Sequence, residues 1–147
     1  MKKYSIFFAA LVCLMVLTVS AFAYDGVAVT EYLPAEVQGF IQKNFPGQSV
    51  SHVKTDREFI KTQYEVCLYN GVEIKIDKHG KWDKVNCAFT AVPEGIVPAP
   101  IANYVKTHFA DAEIVKIDKQ HYGYAVELSN YIDIKFDFDG NLKRVAD

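Results

Sequence analysis

One stretch of the chain is written twice, and that repetition limits the folds open to it. Tyr64-Glu-Val-Cys-Leu-Tyr-Asn-Gly-Val-Glu-Ile-Lys-Ile-Asp77 returns as Tyr124-Ala-Val-Glu-Leu-Ser-Asn-Tyr-Ile-Asp-Ile-Lys-Phe-Asp137. In the first copy Tyr64, Val66 and Leu68 alternate with Glu65, Cys67 and Tyr69, and Val72, Ile74 and Ile76 alternate with Glu73, Lys75 and Asp77. Period-2 alternation predicts strands with one face in a core. A two-residue Asn70-Gly71 turn would set Leu68 opposite Glu73 and put charge on the apolar face, because a one-residue slip flips every side chain. A three-residue loop, Tyr69-Asn70-Gly71, pairs Leu68 with Val72, Val66 with Ile74 and Tyr64 with Ile76. This is a type I turn with a G1 bulge and Gly71 in the left-handed conformation. The second copy carries Tyr131 at the glycine position, which costs backbone strain, so a different turn is an alternative there.

The apolar stripe upstream is also doubled. Val37, Phe40, Ile41 and Phe45 fall at i, i+3, i+4 and i+8, and Ile101, Tyr104, Val105 and Phe109 repeat them 64 positions later. Leu33-Pro34 and Val97-Pro98 open the two helices, and Pro46-Gly47 ends the first. Further strands are expected at 49–55, 81–87 and 113–119, with a polar connection or edge at 56–63 and a Pro-rich linker at 90–100. The prediction is an α+β fold: two tandem helix-plus-antiparallel-sheet repeats, helices on one side of a joined sheet. Each copy alone is too small to bury much core, so the two should pack side by side. The boundaries are 1–23 for a signal peptide, 24–90 for the first repeat and 91–147 for the linker and second repeat, the repeats forming one compact domain.

The N-terminus sets the compartment. Lys2 and Lys3 precede an apolar run over 6–19 and an Ala21-Phe22-Ala23 cleavage signal, the pattern of a secretory signal peptide. An uncleaved N-terminal helix is the alternative. Without Lys2 and Lys3, the 16 basic residues fall to 14 against 18 acidic, a net charge of −4. A mildly acidic chain without a Lys/Arg cluster lacks the footprint that nucleic acid requires. No second long apolar run follows, so no membrane span is expected after cleavage. Export favours paired cysteines. Yet Cys67 and Cys87 would lie two strands apart in a meander, about 9.5 Å, beyond the ~7 Å that a disulfide spans. A bond is expected only if the strand order is not a meander.

The doubled order of these motifs resembles the PepSY-like periplasmic proteins with a β-lactamase-inhibitor-protein-like fold. The resemblance covers roughly 31–147. It rests on Leu33-Pro34-Ala35, Asn44-Phe45-Pro46-Gly47, Tyr64-Glu65-Val66, Asn70-Gly71-Val72-Glu73-Ile74 and Asp77-Lys78-His79-Gly80-Lys81-Trp82. In the second copy it rests on Gly123-Tyr124-Ala125-Val126-Glu127-Leu128 and Phe138-Asp139-Gly140-Asn141-Leu142. The resemblance implies two helix-and-sheet repeats and no established activity. The inhibitor namesake holds an enzyme on its open sheet, an analogy of fold only.

The outward face of the hairpins is the candidate binding surface, with Glu65, Tyr69, Glu73, Lys75, Glu127, Tyr131, Asp133 and Lys135 as partner-contacting residues. Glu65 opposite Lys75 is expected as a cross-strand ion pair. Glu127 opposite Asp133 sets like charges together and suggests a cation or a basic partner; plain solvation of both is the alternative. Tyr122 and Tyr131 are expected as an exposed aromatic patch, and Trp82 as a cap on the core, with exposure at the sheet rim as the alternative. Asp137-Phe138-Asp139-Gly140-Asn141 lacks the third ligand and the terminal Glu of a calcium loop and is read as a hairpin turn. His52, His79, His108 and His121 are scattered with no ligand spacing, and both Met residues lie in the signal peptide, so no cofactor or metal is expected. Nucleophile, zinc and phosphate-loop motifs are missing, and no His is placed to activate a cysteine. The expected function is an exported, non-enzymatic module that binds a protein partner in the cell envelope through its open sheet. The alternative is a small-molecule or cation binder in the groove between repeats.

Overall fold

A computed structural model describes residues 32–57 and 59–146. The signal peptide and most of the lead-in lie outside the described residues. The elements run α1 (Ala35–Asn44), β1 (Val50–Arg57), β2 (Thr62–Leu68), β3 (Glu73–Asp77), β4 (Trp82–Asn86), α2 (Ala99–His108), β5 (Ile114–Gln120), β6 (Gly123–Leu128), β7 (Asp133–Phe136) and β8 (Leu142–Ala146). All eight strands form one antiparallel sheet in sequence order. The halves join where β4 pairs with β5, Lys84 facing Asp118, Val85 facing Ile117 and Asn86 facing Lys116.

Both helices open the same way. The carbonyl of Pro34 accepts the Val37 and Gln38 amides, and that of Pro98 accepts the Ile101 and Ala102 amides, so each proline sits just before its helix, with an extended backbone. Neither proline has an N–H to leave unpaired there. Val37 and Ile41 of α1 and Ile101 and Val105 of α2 are buried in one cluster with Val66, Ile74, Ile76, Val85, Ile117, Val126, Ile134 and Phe136. Those strand residues share one face of the sheet, so both helices cover that face. The Tyr104 ring meets the Phe136 ring edge-on at 5.4 Å.

The polar stretch at 56–63 is in part a connection and in part the ends of edge strand β1 and of β2, with Arg57 paired to Thr62. Backbone pairing supplies those hydrogen bonds whatever the side chains, so weak alternation there does not end the ladder. Four hairpin turns share one hydrogen-bond pattern. Leu68 N–H donates to Val72 O and Gly71 N–H to Leu68 O; the same two bonds recur at Asp77/Lys81 and Gly80, Leu128/Ile132 and Tyr131, and Asp137/Asn141 and Gly140. The expected pairing across Tyr69-Asn70-Gly71 holds. The different turn considered for the second copy is not used: Tyr131 takes the glycine conformation itself, with φ +66°.

Trp82 is half-buried and packs against the core cluster from the start of β4. A bulge between Lys75 and Ile76 sets it beside Ile76. The Lys119 ammonium stands 4.1 Å from its ring centre. Burial pulls the Lys119 amine below its ordinary value, opposed by Asp83 and Asp77.

Candidate functional site

Opposite the helices, the sheet carries its other set of side chains in rows that cross all eight strands. One row runs Lys54, Glu65, Lys75, Lys84, Asp118, Ala125, Lys135, Arg144. The next runs His52, Cys67, Glu73, Asn86, Lys116, Glu127, Asp133, Ala146. Bulges at Val50/His52 and Ile114/Lys116, and at Lys75/Ile76 and Lys135/Phe136, recur in both halves. They shift β1, β5, β4 and β8 by one residue and so decide which of their side chains join these rows. Six of the expected partner-contacting residues, Glu65, Glu73, Lys75, Glu127, Asp133 and Lys135, thus share one face. Tyr69 and Tyr131 stand off it, in the turns that end those strands.

The charges are only partly matched. Glu65 stands opposite Lys75, but its ion pair is with Lys54 on its other neighbour, at 3.6 Å. The expected Glu65–Lys75 pair is therefore not the one formed. Glu127 does lie opposite Asp133, and Lys116 reaches Glu127 at 3.5 Å. Lys75 faces Lys84, and Lys135 faces Arg144. Among the described residues no ion pair reaches Lys75, Lys84, Lys135, Arg144 or Asp133. Like charges directly opposed on adjacent strands weaken a sheet. An open trough of about 470 Å³, lined by His52, Glu65, Cys67, Glu73, Lys75, Lys84 and Asp118, crosses β1–β5. A smaller one of about 150 Å³ lies over Lys116, Glu127, Asp133 and Lys135.

Comparison with known proteins fits this architecture. A family model described as "Putative beta-lactamase-inhibitor-like, PepSY-like" matches the chain twice, at 26–81 and 62–144. The chain belongs to the PepSY-like family. Three solved structures are similar to this PepSY-like chain. The first, "a putative calcium-regulated periplasmic protein" from Bacteroides thetaiotaomicron, is 36% identical, with a TM-score of 0.74 over 80% of this chain and 93% of that one. A periplasmic protein from Bacteroides vulgatus is 36% identical, with a TM-score of 0.75 over 80% and 93%. A second from that organism, "of unknown function", is 28% identical, with a TM-score of 0.74 over 80% and 94%. No curated protein matches the chain. The periplasmic neighbours agree with the periplasmic or secreted location expected from the N-terminal segment, and none of the described helices is long and apolar enough to cross a membrane.

In this PepSY-like chain Cys67 and Cys87, the two cysteines among the described residues, are free. The strand order is the meander that argued against a bond, and the two lie on opposite faces, Cys67 in the open trough and Cys87 in the core. Burial pushes the Cys87 thiol up to about 11. The Cys67 thiol is also raised, by burial and then by Glu73 and Glu65. His52 is paired directly across from Cys67, a neighbour the sequence reading missed because the β1 bulge sets that register. A thiol held protonated beside two carboxylates is not an activated nucleophile.

The Asp137 loop is a hairpin turn. Its Oδ1 accepts the Asp139 and Asn141 amides and its Oδ2 accepts the Asn141 side-chain amide. Asp77 Oδ1 likewise accepts the His79 and Lys81 amides. No group of three or more potential metal ligands converges among the described residues. Tyr122 and Tyr131 do not form one patch: they flank opposite ends of β6, and Tyr122 is half-buried with Lys135 5.3 Å from its ring centre. Besides His52, sequence reasoning missed Lys54 and Lys116, which make the ion pairs of the face, and Lys84, Asp118 and Arg144, which reach these rows through the join and the β4 and β8 bulges.

Proposed function

We propose that this PepSY-like protein is a non-enzymatic binding module of the cell envelope, built from two tandem copies of one helix-and-four-strand unit, and that its open sheet face takes a protein partner. The observation that carries this reading is the unequal treatment of the two faces. Both helices cover one. The other is left bare and holds the opposed pairs Lys75/Lys84 and Lys135/Arg144; no ion pair reaches these four among the described residues, although Glu65 and Asp118 flank the first pair. Repulsion retained on an uncovered surface is a cost to the fold that a partner's acidic groups relieve. Glu65, Glu73, Lys75, Glu127, Asp133 and Lys135 are the contacting residues on the face, with Tyr69 and Tyr131 at its edge.

The test is affinity capture from periplasmic extract with wild type beside Lys75→Glu/Lys84→Glu. One protein held by wild type and released at least tenfold more readily by the variant is the expected result. Capture indifferent to the reversal, with both proteins equally folded by circular dichroism, sinks the reading.

A second reading is a cation or small-molecule binder over β6 and β7 of the second half, rather than in a groove between the halves. It is favoured by Asp133 facing Glu127, and by the relative described as calcium-regulated. Against it, Lys116 already reaches Glu127. A calcium titration of the melting temperature separates the two: a rise that Asp133→Asn removes supports the cation site.

A further inference from the structure

Among the described residues, two non-glycine positions have left-handed backbone, Ala88 at φ +54° and Tyr131 at φ +66°. Each is at, or next to, an aromatic ring that the core does not use. Tyr131 is 83% exposed, and Phe89, next to Ala88, is 95% exposed. The Ala88 bend is held by its amide on the Asn86 side chain and by the Phe89 and Thr90 amides on the Cys87 carbonyl. Tyr69, 64% exposed, lies in the equivalent turn of the first half.

The topology brings these rings to one end of the sheet. The turn after β2, the exit of β4 and the turn after β6 all lie at that end. With strands about 4.8 Å apart, Tyr69 to Tyr131 spans roughly 20 Å, the length of about six residues of extended chain. The local charge is negative. Glu73 and Asp133 begin the strands after the two tyrosine turns, and Glu113 lies against the second turn, its amide donating to Ser129 Oγ. All three are exposed, and none has an ion pair among the described residues.

We infer that this end of the sheet, Tyr69, Phe89 and Tyr131 beside Glu73, Glu113 and Asp133, docks an extended Arg/Lys-bearing segment of a protein. Left-handed backbone at non-glycine residues clusters at functional sites. Ring faces attract cationic side chains, and the neighbouring carboxylates supply the matching charge. The inference rests on the protein-binding reading and adds a second contact, with the edge facing basic groups while the middle row faces acidic ones.

The test uses the full mature chain and two synthetic peptides, (Arg-Ser)4 and (Glu-Ser)4, followed by side-chain NMR and calorimetry. Binding of the arginine peptide, with shifts at Tyr69, Phe89 and Tyr131, is expected. Tyr131→Gly, which copies the glycine of the first half, weakens it at least tenfold while raising the melting temperature by about 3 °C as strain is released. Phe89→Ser weakens it to a similar degree. Equal binding of both peptides, binding of neither, or binding unchanged by both variants overturns the inference. Self-association of the free protein abolished by Tyr131→Gly assigns the edge to a second copy and also overturns it. Capture by the Lys75/Lys84 face is measured separately, so loss of the edge alone leaves the face reading standing.

Discussion

The two halves use the same turn four times, and one of the four breaks its rule. Gly71, Gly80 and Gly140 hold the left-handed position in three turns, and Tyr131 holds it in the fourth. Everything around Tyr131 matches its counterpart: Leu128 pairs with Ile132 as Leu68 pairs with Val72, and Asn130 Oδ1 accepts the Ile132 amide as Asn70 Oδ1 accepts that of Val72. The turn is therefore set by the ladder and the Asn, and the glycine only lowers its cost. A residue that raises that cost while standing in solvent is explained by what it meets outside the fold.

The glycine the halves do not share gives the sharpest way to break the comparison. Gly123 occupies the place of Gln63, but at φ +143° its missing Cβ would sit 2.1 Å from the Phe136 carbonyl oxygen and 2.6 Å from Asp137 Cα. Backbone cannot yield as a side-chain tip does. Gly123→Ala is expected to cost more than about 3 kcal/mol in urea unfolding, whereas Gln63→Ala leaves stability within about 1 kcal/mol.

A smaller effect follows from writing the second half's choice into the first. Nothing lies within 4 Å of a Cβ built on Gly71, so Gly71→Tyr meets no clash and adds only left-handed strain, about 1–2 kcal/mol. Destabilisation well beyond that, read from the same urea curves, would mean the two turns are not equivalent.

The smallest effect separates the two aspartate turns by pH. Burial alone would raise the Asp77 carboxyl, but the Lys81 and His79 amides outweigh it and hold it below its ordinary value. Asp137 is held down first by the Asn141 side chain and then by the Asn141 amide. Both carboxyls have folded values below their unfolded ones. The stability they contribute is thus present above about pH 4 and lost as pH falls through the folded values. Asn141→Ala removes the side-chain donor. The melting temperatures of both proteins should begin their acid decline near the unfolded carboxyl value, with the variant less stable at neutral pH and losing less in total as pH falls, its decline ending at higher pH than that of wild type. Superimposable declines would remove the Asn141 side chain from the account.

The legible parts of the fold were those written in local period and turn chemistry. Alternation in Tyr64–Asp77 fixed the faces, and parity chose the three-residue loop before any coordinate. The i, i+3, i+4 stripes placed both helices within two residues. The meander order that kept Cys67 and Cys87 apart also follows from short loops. The join of β4 to β5 had no local signal, since any outward Lys or Asp suits a strand facing water. The ion pairs failed for a related reason: Glu65 has a cation on each side, and only the β1 register shows that Lys54 reaches it. Lys84 and Arg144 were invisible as site residues because the bulges beside them set which face their side chains take. Phe89 fell between the expected strand at 81–87 and the linker at 90–100; its signal is a large aromatic beside a loop that buries Val92 and Ile96 but not it.

The strictly sequential strand order also governs how the molecule assembles. Every pairing but one joins strands only a few residues apart in sequence, so most of the sheet can form by local zipping at little loop-closure cost. The exception is β4 against β5, which must close over 87–113 and carry α2 onto the face already lined by Val66, Ile74 and Val85. That single closure is the long-range event of the fold, and the rate of folding should answer to Val85 and Ile117 more than to any residue within a hairpin.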